Sequence, residues 1–230
     1  MINILDLTRD DNGLKANELF IKLKQRTKSH DGASVIKVVA DILENVRLNG
    51  DQALIDYSRK FDQAEIKEIT VSEEEISEAY KKIDPELLET IRRAKQNIKN
   101  FHEKQLQNSW INPAEDGTVL GQLVRPLEKV GLYVPGGTAP LISSVLMTAV
   151  PAKVAGVETM IMCTPPSKDG SVNPAMLVAA REAGIDKVFR VGGAQAIAAM
   201  AYGTESVPAV DKICGPGNVY VSTAKRLIYG

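Results

Sequence analysis

From Val130 to Asn218, short apolar runs end in glycine- or proline-rich turns, and a helix-like segment follows each turn. The pattern recurs and predicts a parallel β-sheet whose strands are joined by crossover helices. The predicted strands lie near residues 130–134, 158–163, 187–191 and 211–214. The predicted helices lie near residues 141–156, 173–184, 194–202 and 218–228. The strand cores are almost uniformly apolar, which indicates that helices cover both faces of the sheet.

The turns are the segments best suited to ligand binding. They are GLYVPGG (Gly131 to Gly137), CTPPS (Cys163 to Ser167), VGGAQA (Val191 to Ala196) and CGPGN (Cys214 to Asn218). Because parallel strands run the same way, these turns gather at the carboxyl edge, where α/β folds bind ligands. Glycine lets backbone N–H groups approach a ligand, and the N-terminus of a following helix attracts anions. We therefore expect any functional site at this edge.

The first part of the chain shows helical periodicity and many charges instead. In Val35 to Val46 the apolar residues recur at spacings of three and four, and Asn49-Gly50 supplies a stop signal. Val71 resembles the end of a short strand. Ser72 then begins a capping box that opens a helix through Ile83.

A longer helix follows. Asp84-Pro85 provides a cap and a proline at the first helical position, and the apolar face runs from Leu87 to Phe101. Residues 112–117 are predicted to form a turn, and Thr118 to Pro126 return to strand character. The change of pattern divides the chain into a mostly helical part, residues 1–125, and an α/β unit, residues 126–230.

Composition narrows the possible partners and location. With 230 residues, 44% hydrophobic and 25% charged, the chain fits a soluble protein of one large or two smaller domains. A net charge of -1 gives no reason to expect nucleic acid or an anionic membrane as a partner. The start of the chain lacks the features of a signal peptide, and polar residues interrupt its longest apolar run. Two cysteines make no disulfide framework, which indicates a cytoplasmic protein.

Three polar side chains stand at the predicted ligand edge: Tyr133, Gln195 and Asn218. Each could contact a ligand, but each also has a structural explanation. Tyr133 could be part of a half-buried strand, Gln195 could lie on the surface of a first helical turn, and Asn218 is in a good N-cap position. Gly215 and Gly217 begin a dinucleotide fingerprint, but Tyr220 replaces its third glycine. Ligand binding and simple tight-turn chemistry therefore both remain open.

The cysteines and histidines give weaker evidence for a functional site. Cys163 and Cys214 end predicted strands, where a thiolate could attack an aldehyde, but free cysteine is most often buried. The only histidines, His30 and His102, lie far apart in the helical part. No metal-ligand spacing is visible, and we expect both histidines to be solvated.

Two long segments carry a specific resemblance. VRPLEKVGLYVPGGTAPLISSVLMTAVPAKVAGV and VGGAQAIAAMAYGTESVPAVDKICGPGNVYVSTAKR, with the spacing between them, closely resemble histidinol dehydrogenase. NGDQALIDYSRKFD (Asn49 to Asp62) extends the similarity more loosely into the helical part. The resemblance implies an oxidoreductase that converts L-histidinol to L-histidine through an aldehyde in histidine biosynthesis, with two hydride transfers to NAD. It also implies a zinc-dependent homodimer.

The resemblance further implies that Tyr133, Gln195 and Asn218 bind NAD. The implied fold is a Rossmann-like parallel sheet unit, about residues 126–230, preceded by a mostly helical, incomplete first domain. Family members are roughly twice as long, so catalytic residues and zinc ligands are expected beyond Gly230 and none is assigned here. We expect the chain alone to be inactive. The alternatives are a non-catalytic dinucleotide-binding module, complete at this length, and an unrelated cysteine-dependent aldehyde oxidiser. We also expect the apolar stripes of the helical part to be covered by a second copy.

Overall fold

The structure is a computed structural model that describes residues 16–21, 32–136 and 140–229. His30, Gly137 and Gly230, which figure in the sequence analysis, lie outside the described residues.

Helices dominate the first part of the chain, and helices and strands alternate in the second. The helices are α1 (residues 16–21), α2 (Gly32–Tyr57), α3 (Glu73–Lys82), α4 (Pro85–His102), α5 (Ile142–Val154), α6 (Pro174–Ala183), α7 (Gly193–Tyr202) and α8 (Val219–Tyr229). The strands are β1 (Trp110–Pro113), β2 (Val119–Gln122), β3 (Lys129–Tyr133), β4 (Thr159–Cys163), β5 (Lys187–Phe189) and β6 (Lys212–Cys214). A π-helical turn, Ser58–Asp62, follows α2, and a 3-10 turn, Glu103–Gln105, follows α4. No helix among the described residues has the length and hydropathy needed to cross a membrane.

Strands β3 to β6 form a parallel sheet in the order β5-β4-β3-β6. The chain adds β4 and β5 on one side of β3 and then crosses back to place β6 on the other side. The strand order therefore reverses between β3 and β6, which makes the crevice at their carboxyl ends the topological switch point. The predicted strands and crossover helices are all present, with small differences at their ends, so the α/β fold class is confirmed.

Helices cover both faces of this sheet. Tyr133, Ile161 and Cys163 pack with α2, α7 and α8 in one hydrophobic cluster. Leu132 and Met162 point to the opposite face and pack with α3, α4, α5 and α6 in a second cluster. Both clusters combine residues from either side of residue 125, so the helices of the first part form the outer layers on the sheet unit. The division into two domains stays a prediction.

Helix α2 shows why the predicted stop at Asn49-Gly50 is only partly right. Gly50 has a φ of 51°, which kinks the chain, but a second helical segment continues to Tyr57. The Asp51 carboxylate accepts hydrogen bonds from the hydroxyls of Thr204, at 2.6 Å, and Ser206. These bonds fix the kink against the loop that follows α7.

The caps of α3 and α4 agree with the predictions. The Glu75 amide donates to Ser72 Oγ at 3.2 Å, and the Ser72 amide donates to the Glu75 carboxylate at 2.9 Å. Asp84 accepts from the Glu86 amide at 2.8 Å. Arg190, which follows β5, forms an ion pair with Glu75 and so joins this capping box to the sheet.

Two details of this region differ from the prediction. Phe101 is exposed, so the buried face of α4 ends before the last residue of its apolar stripe. Val71 does not end a regular strand. Its amide donates to the Val188 carbonyl at 2.9 Å, next to an isolated antiparallel bridge between Thr70 and Phe189.

The predicted turn at residues 112–117 is partly a strand. Asn112 and Pro113 belong to β1, which pairs antiparallel with β2, and the turn is confined to the residues between them. All residues of both strands are exposed. The hairpin therefore carries apolar side chains, including Ile111 and Leu120, on the surface of the described chain.

The reason given for self-association is wrong. Val39, Ile42, Leu43 and Val46 of the first stripe are buried in the cluster with α7 and α8. Ile91 of the second stripe is buried in the cluster with α5 and α6. The helical part needs no second copy to cover these stripes, because the sheet unit covers most of both. The homodimer itself stays a prediction.

Leu54→Ala tests whether α2 is held by this intramolecular packing. Leu54 is 0% exposed, and its truncation leaves a cavity that we expect to cost about 2–5 kcal/mol of unfolding free energy. Leu48→Ala is the control, since Leu48 lies on the same helix but is 71% exposed, and its effect should stay within about 0.5 kcal/mol. Urea denaturation at low protein concentration measures both. Equal, small effects would contradict the packing described.

Candidate functional site

The carboxyl edge of the sheet contains a cavity of about 560 Å³ at the switch point between β3 and β6. Its α/β wall includes Tyr133, Gly193, Gln195 and Asn218. Its other wall comes from the helical part and is formed by Val38 and Ile42 of α2 with Phe61 and Asp62 of the π-helical turn. The three residues predicted as ligand contacts therefore line one cavity, which is of the size of a small-molecule site.

Tyr133 ends β3 and joins two of the predicted turns. Its phenol oxygen accepts a hydrogen bond from the Gly193 amide at 3.0 Å, so the turn after β3 is tied to the start of α7. The side chain is only 4% exposed, and burial raises the pKa of its hydroxyl. Tyr133 is therefore a neutral phenol at physiological pH, and its O–H group can still donate to a ligand.

Gln195 lies in the first turn of α7 and is 1% exposed, so it is not on the helix surface. It packs against Gly193, whose φ is 64°. A Cβ atom on Gly193 would lie 2.6 Å from Gln195 Oε1. The glycine thus provides both the left-handed turn and the space for a buried amide beside the cavity.

Asn218 serves as a helix cap and also lines the cavity. Its Oδ1 accepts from the amides of Tyr220 at 3.0 Å and Val221 at 3.1 Å, which are the first-turn donors of α8. The cap uses the amide oxygen, so the donors that Asn218 can offer to a ligand are on Nδ2. The structural and the ligand-binding explanations of this residue are compatible.

Backbone contacts bring the turns close together. Gly215 has a φ of 125°, and a Cβ atom there would collide with the Tyr133 carbonyl oxygen. Lys225 of α8 donates to the Gly215 carbonyl at 2.8 Å and holds this loop against the helix. On the other side, a Cβ atom on Gly192 would lie 2.5 Å from the Pro165 side chain. The turns after all four strands of the sheet thus meet at one place, as predicted for the carboxyl edge.

Asp62 is a feature of the site that the sequence analysis did not single out. It ends the π-helical turn before Gln63, which has a φ of 55°. One carboxylate oxygen of Asp62, Oδ2, is buried without a hydrogen-bond partner, and burial raises the pKa of the carboxyl to about 6. Asp62 also lines an adjoining cavity of about 490 Å³ with Pro165 and Thr164. The only signal in the sequence was its place in the Asn49 to Asp62 segment, because a π-helical turn has no periodic pattern to reveal it.

The cysteines do not support the thiol hypothesis. Cys163 is completely buried, and burial raises the pKa of its thiol, so the group stays protonated. Cys214 is half-buried at the end of β6. Within the described ranges, no three His, Cys, Asp or Glu side chains are grouped closely enough to hold a metal ion.

The raised pKa of Asp62 predicts how Asp62→Asn changes stability with pH. A folded-state pKa above the ordinary value means that the folded chain holds this proton more tightly. The contribution of Asp62 to stability therefore falls as the pH rises from about 4 to about 6 and stays low above that range. We expect Asp62→Asn to raise the unfolding free energy at pH 8, on the order of 1 kcal/mol after allowance for solvent screening, and to have little effect at pH 4.

Urea denaturation at the two pH values measures this difference. Glu65→Gln is the control, because Glu65 lies three residues away with its side chain 88% exposed. A stabilisation by Asp62→Asn that is the same at both pH values would contradict the assignment of the shift to this carboxyl.

Comparison with known proteins identifies relatives of the chain. The chain is 60% identical over 205 residues to histidinol dehydrogenase from Heliobacterium mobile, covering 88% of this chain and 48% of that protein. It is 53% identical over 220 residues to histidinol dehydrogenase from Clostridium acetobutylicum, covering 96% and 51% respectively. The chain thus spans about half the length of the curated relatives it matches.

A solved structure agrees with the sequence relatives. The crystal structure of histidinol dehydrogenase from Elizabethkingia anophelis superposes with a TM-score of 0.81 at 42% identity, covering 84% of this chain and 45% of that one. The family model for histidinol dehydrogenase matches residues 24–230, which include every element that lines the cavity. The resemblance inferred from the sequence is confirmed, and the chain belongs to the histidinol dehydrogenase family, a family of oxidoreductases.

Proposed function

We propose that this chain is the NAD-binding part of a histidinol dehydrogenase that oxidises L-histidinol to L-histidine through the aldehyde. The observation that carries the proposal is the cavity at the switch point, lined together by Tyr133, Gln195 and Asn218. Open α/β sheets bind dinucleotides at such a crevice. When bound, NAD accepts a hydride from the substrate.

The residues of the cavity fit the phosphate part of a dinucleotide. The N-termini of α7 and α8 border the cavity through Gly193 and Asn218, and helix N-termini favour anions. Gly215 lets the loop after β6 approach the end of β3, which keeps the two helix starts on the same crevice. The donors are the neutral phenol of Tyr133 and the side-chain amides of Gln195 and Asn218.

The opposite wall fits a planar ring. Val38, Ile42 and Phe61 present apolar surface to the cavity, and Phe61 stacks on Tyr57 with a ring separation of 5.5 Å. A cavity that combines an apolar wall with amide and phenol donors suits a ligand that has an aromatic base and a polar sugar-phosphate part. These contacts bind and orient the cofactor and exclude water from one side of it.

We propose that zinc, the catalytic residues and most substrate contacts belong to sequence outside this chain. The described residues offer no group of three metal-binding side chains, so they do not fit a zinc site and no step is assigned to the metal here. The proposal includes a cytoplasmic location, a role in histidine biosynthesis and a homodimer, all by family. A non-catalytic module complete at this length is not favoured, since relatives about twice as long match 88% and 96% of the chain.

Binding of NAD to single variants tests the proposed site. We expect Gln195→Ala to weaken NAD binding roughly 3- to 10-fold, the cost of one hydrogen bond. Asn218→Asp should weaken it at least as much, because aspartate keeps the cap on α8 but lacks the amide donors. Gln96→Ala on the exposed face of α4 is the control. Calorimetry at millimolar NAD measures the affinity of all three variants. If Gln195→Ala and Asn218→Asp bind NAD as tightly as the control, the assignment of NAD to this cavity is wrong.

Turnover by the isolated chain is a separate test. We expect no NADH from NAD and histidinol, even with added zinc, because a base and a metal must act beside the nicotinamide. Absorbance at the NADH band measures this directly. Steady NADH formation that increases with chain concentration would contradict this, because it would show that the chain itself contains the catalytic groups.

A further inference from the structure

The carboxylate of Asp62 has an unsatisfied oxygen at the proposed cofactor site. Its Oδ2 is buried and has no hydrogen-bond partner, although the residue lines both adjoining cavities. Leaving a buried carboxylate oxygen unpaired costs free energy, so such a group is expected to acquire a donor. Nearby Thr164 Oγ1 of the second cavity is also buried without a partner.

The cations nearest in sequence do not supply that donor. Arg59 lies 3.6 Å from Asp56 and 4.0 Å from Glu65, and all three side chains are largely exposed. Lys60 lies over the ring of Phe61, 5.4 Å from its centroid. Burial, with no compensating charge, is the cause of the raised pKa of Asp62. With a pKa of about 6 the carboxyl is still mostly ionised at pH 7.5, and an ionised carboxylate only accepts hydrogen bonds.

The position of Asp62 indicates which donor would fit. It lies next to Phe61, part of the apolar wall suited to a base, and it lines the same cavity as the helix starts suited to phosphates. Between the base and the phosphate of a nucleotide lies a ribose with two neighbouring hydroxyl groups. In dinucleotide folds an acidic residue that follows the glycine fingerprint commonly accepts from these hydroxyls. Asp62 supplies a carboxylate to this cavity from the π-helical turn.

We propose that Asp62 accepts hydrogen bonds from the ribose hydroxyls of the adenosine half of the dinucleotide and thereby selects NAD over NADP. The proposal rests on the proposed function, because it assigns a specificity-determining residue within the same site. A phosphate on the 2′-hydroxyl removes one donor and places negative charge against the carboxylate. Like charges held together in a partly buried site are strongly unfavourable.

Calorimetric titration of the whole chain with NAD and NADP tests the proposal. We expect the wild-type chain to bind NAD at least roughly 10-fold more tightly than NADP. Asp62→Asn should weaken NAD binding, leave NADP binding equal or stronger, and reduce the preference to less than about 3-fold. Glu65→Gln removes a charge three residues away that does not line the cavity, and it should keep the wild-type preference. Asp62→Asn is expected to fold because it removes a poorly solvated charge.

Three further ligands identify which ribose contacts Asp62 and whether the substrate contacts it instead. AMP and adenosine 2′,5′-bisphosphate contain only the adenosine ribose, so they should show the same Asp62-dependent preference as NAD and NADP. A preference seen only with the dinucleotides would contradict the assignment to the adenosine half. Histidinol carries an ammonium group, and an Asp62→Asn effect on histidinol binding alone would overturn the proposal in favour of a substrate contact.

The remaining outcomes separate the two proposals. If Gln195→Ala weakens NAD binding but Asp62→Asn does not change the ratio of NAD to NADP affinity, the Asp62 proposal is wrong and the cofactor site stands. Equal weakening of both dinucleotides by Asp62→Asn would also overturn it, since that indicates a structural role. If the wild-type chain binds neither dinucleotide at millimolar concentration, the proposed function fails and this inference fails with it.

Discussion

The close approach of the end of β3 to the loop after β6 is the constraint on which the site depends. Gly215 permits it, because any side chain there would collide with the Tyr133 carbonyl. The hydroxyl oxygen of the same tyrosine accepts a hydrogen bond from the Gly193 amide at 3.0 Å. One residue thus contacts the turns on both sides of the switch point through its backbone and its hydroxyl. The starts of α7 and α8 border one crevice because these contacts hold the turns together.

The helical part completes this crevice. Helix α2 packs on α7 and α8, and the π-helical turn at its end carries Phe61 and Asp62 to the cavity. The kink at Gly50 and the hydrogen bonds of Asp51 fix the angle at which the second segment of α2 leads to that turn. The outer helices therefore do more than cover the sheet, since they provide the apolar wall and the unpaired carboxylate of the candidate site.

The α/β unit was predictable because its local signals agree with its tertiary structure. Apolar strand cores and glycine turns both act within a few residues, and the rule for parallel sheets then brings Tyr133, Gln195 and Asn218 together. What depends on packing between distant segments was missed. The burial of the α2 stripe, the antiparallel β1 strand and the position of Asp62 need contacts that no short window contains. Phe61 and Asp62 in particular lie in a turn without a periodic pattern.

The central claim is that the cavity between the α/β edge and the π-helical turn binds NAD. A crystal structure of the chain grown with millimolar NAD tests it most directly. The account predicts the pyrophosphate at the starts of α7 and α8 and the adenosine between Phe61 and Asp62. Well-ordered NAD bound elsewhere, for example in the lysine-lined groove between α4 and α5, with the cavity at the switch point free of cofactor, would contradict it.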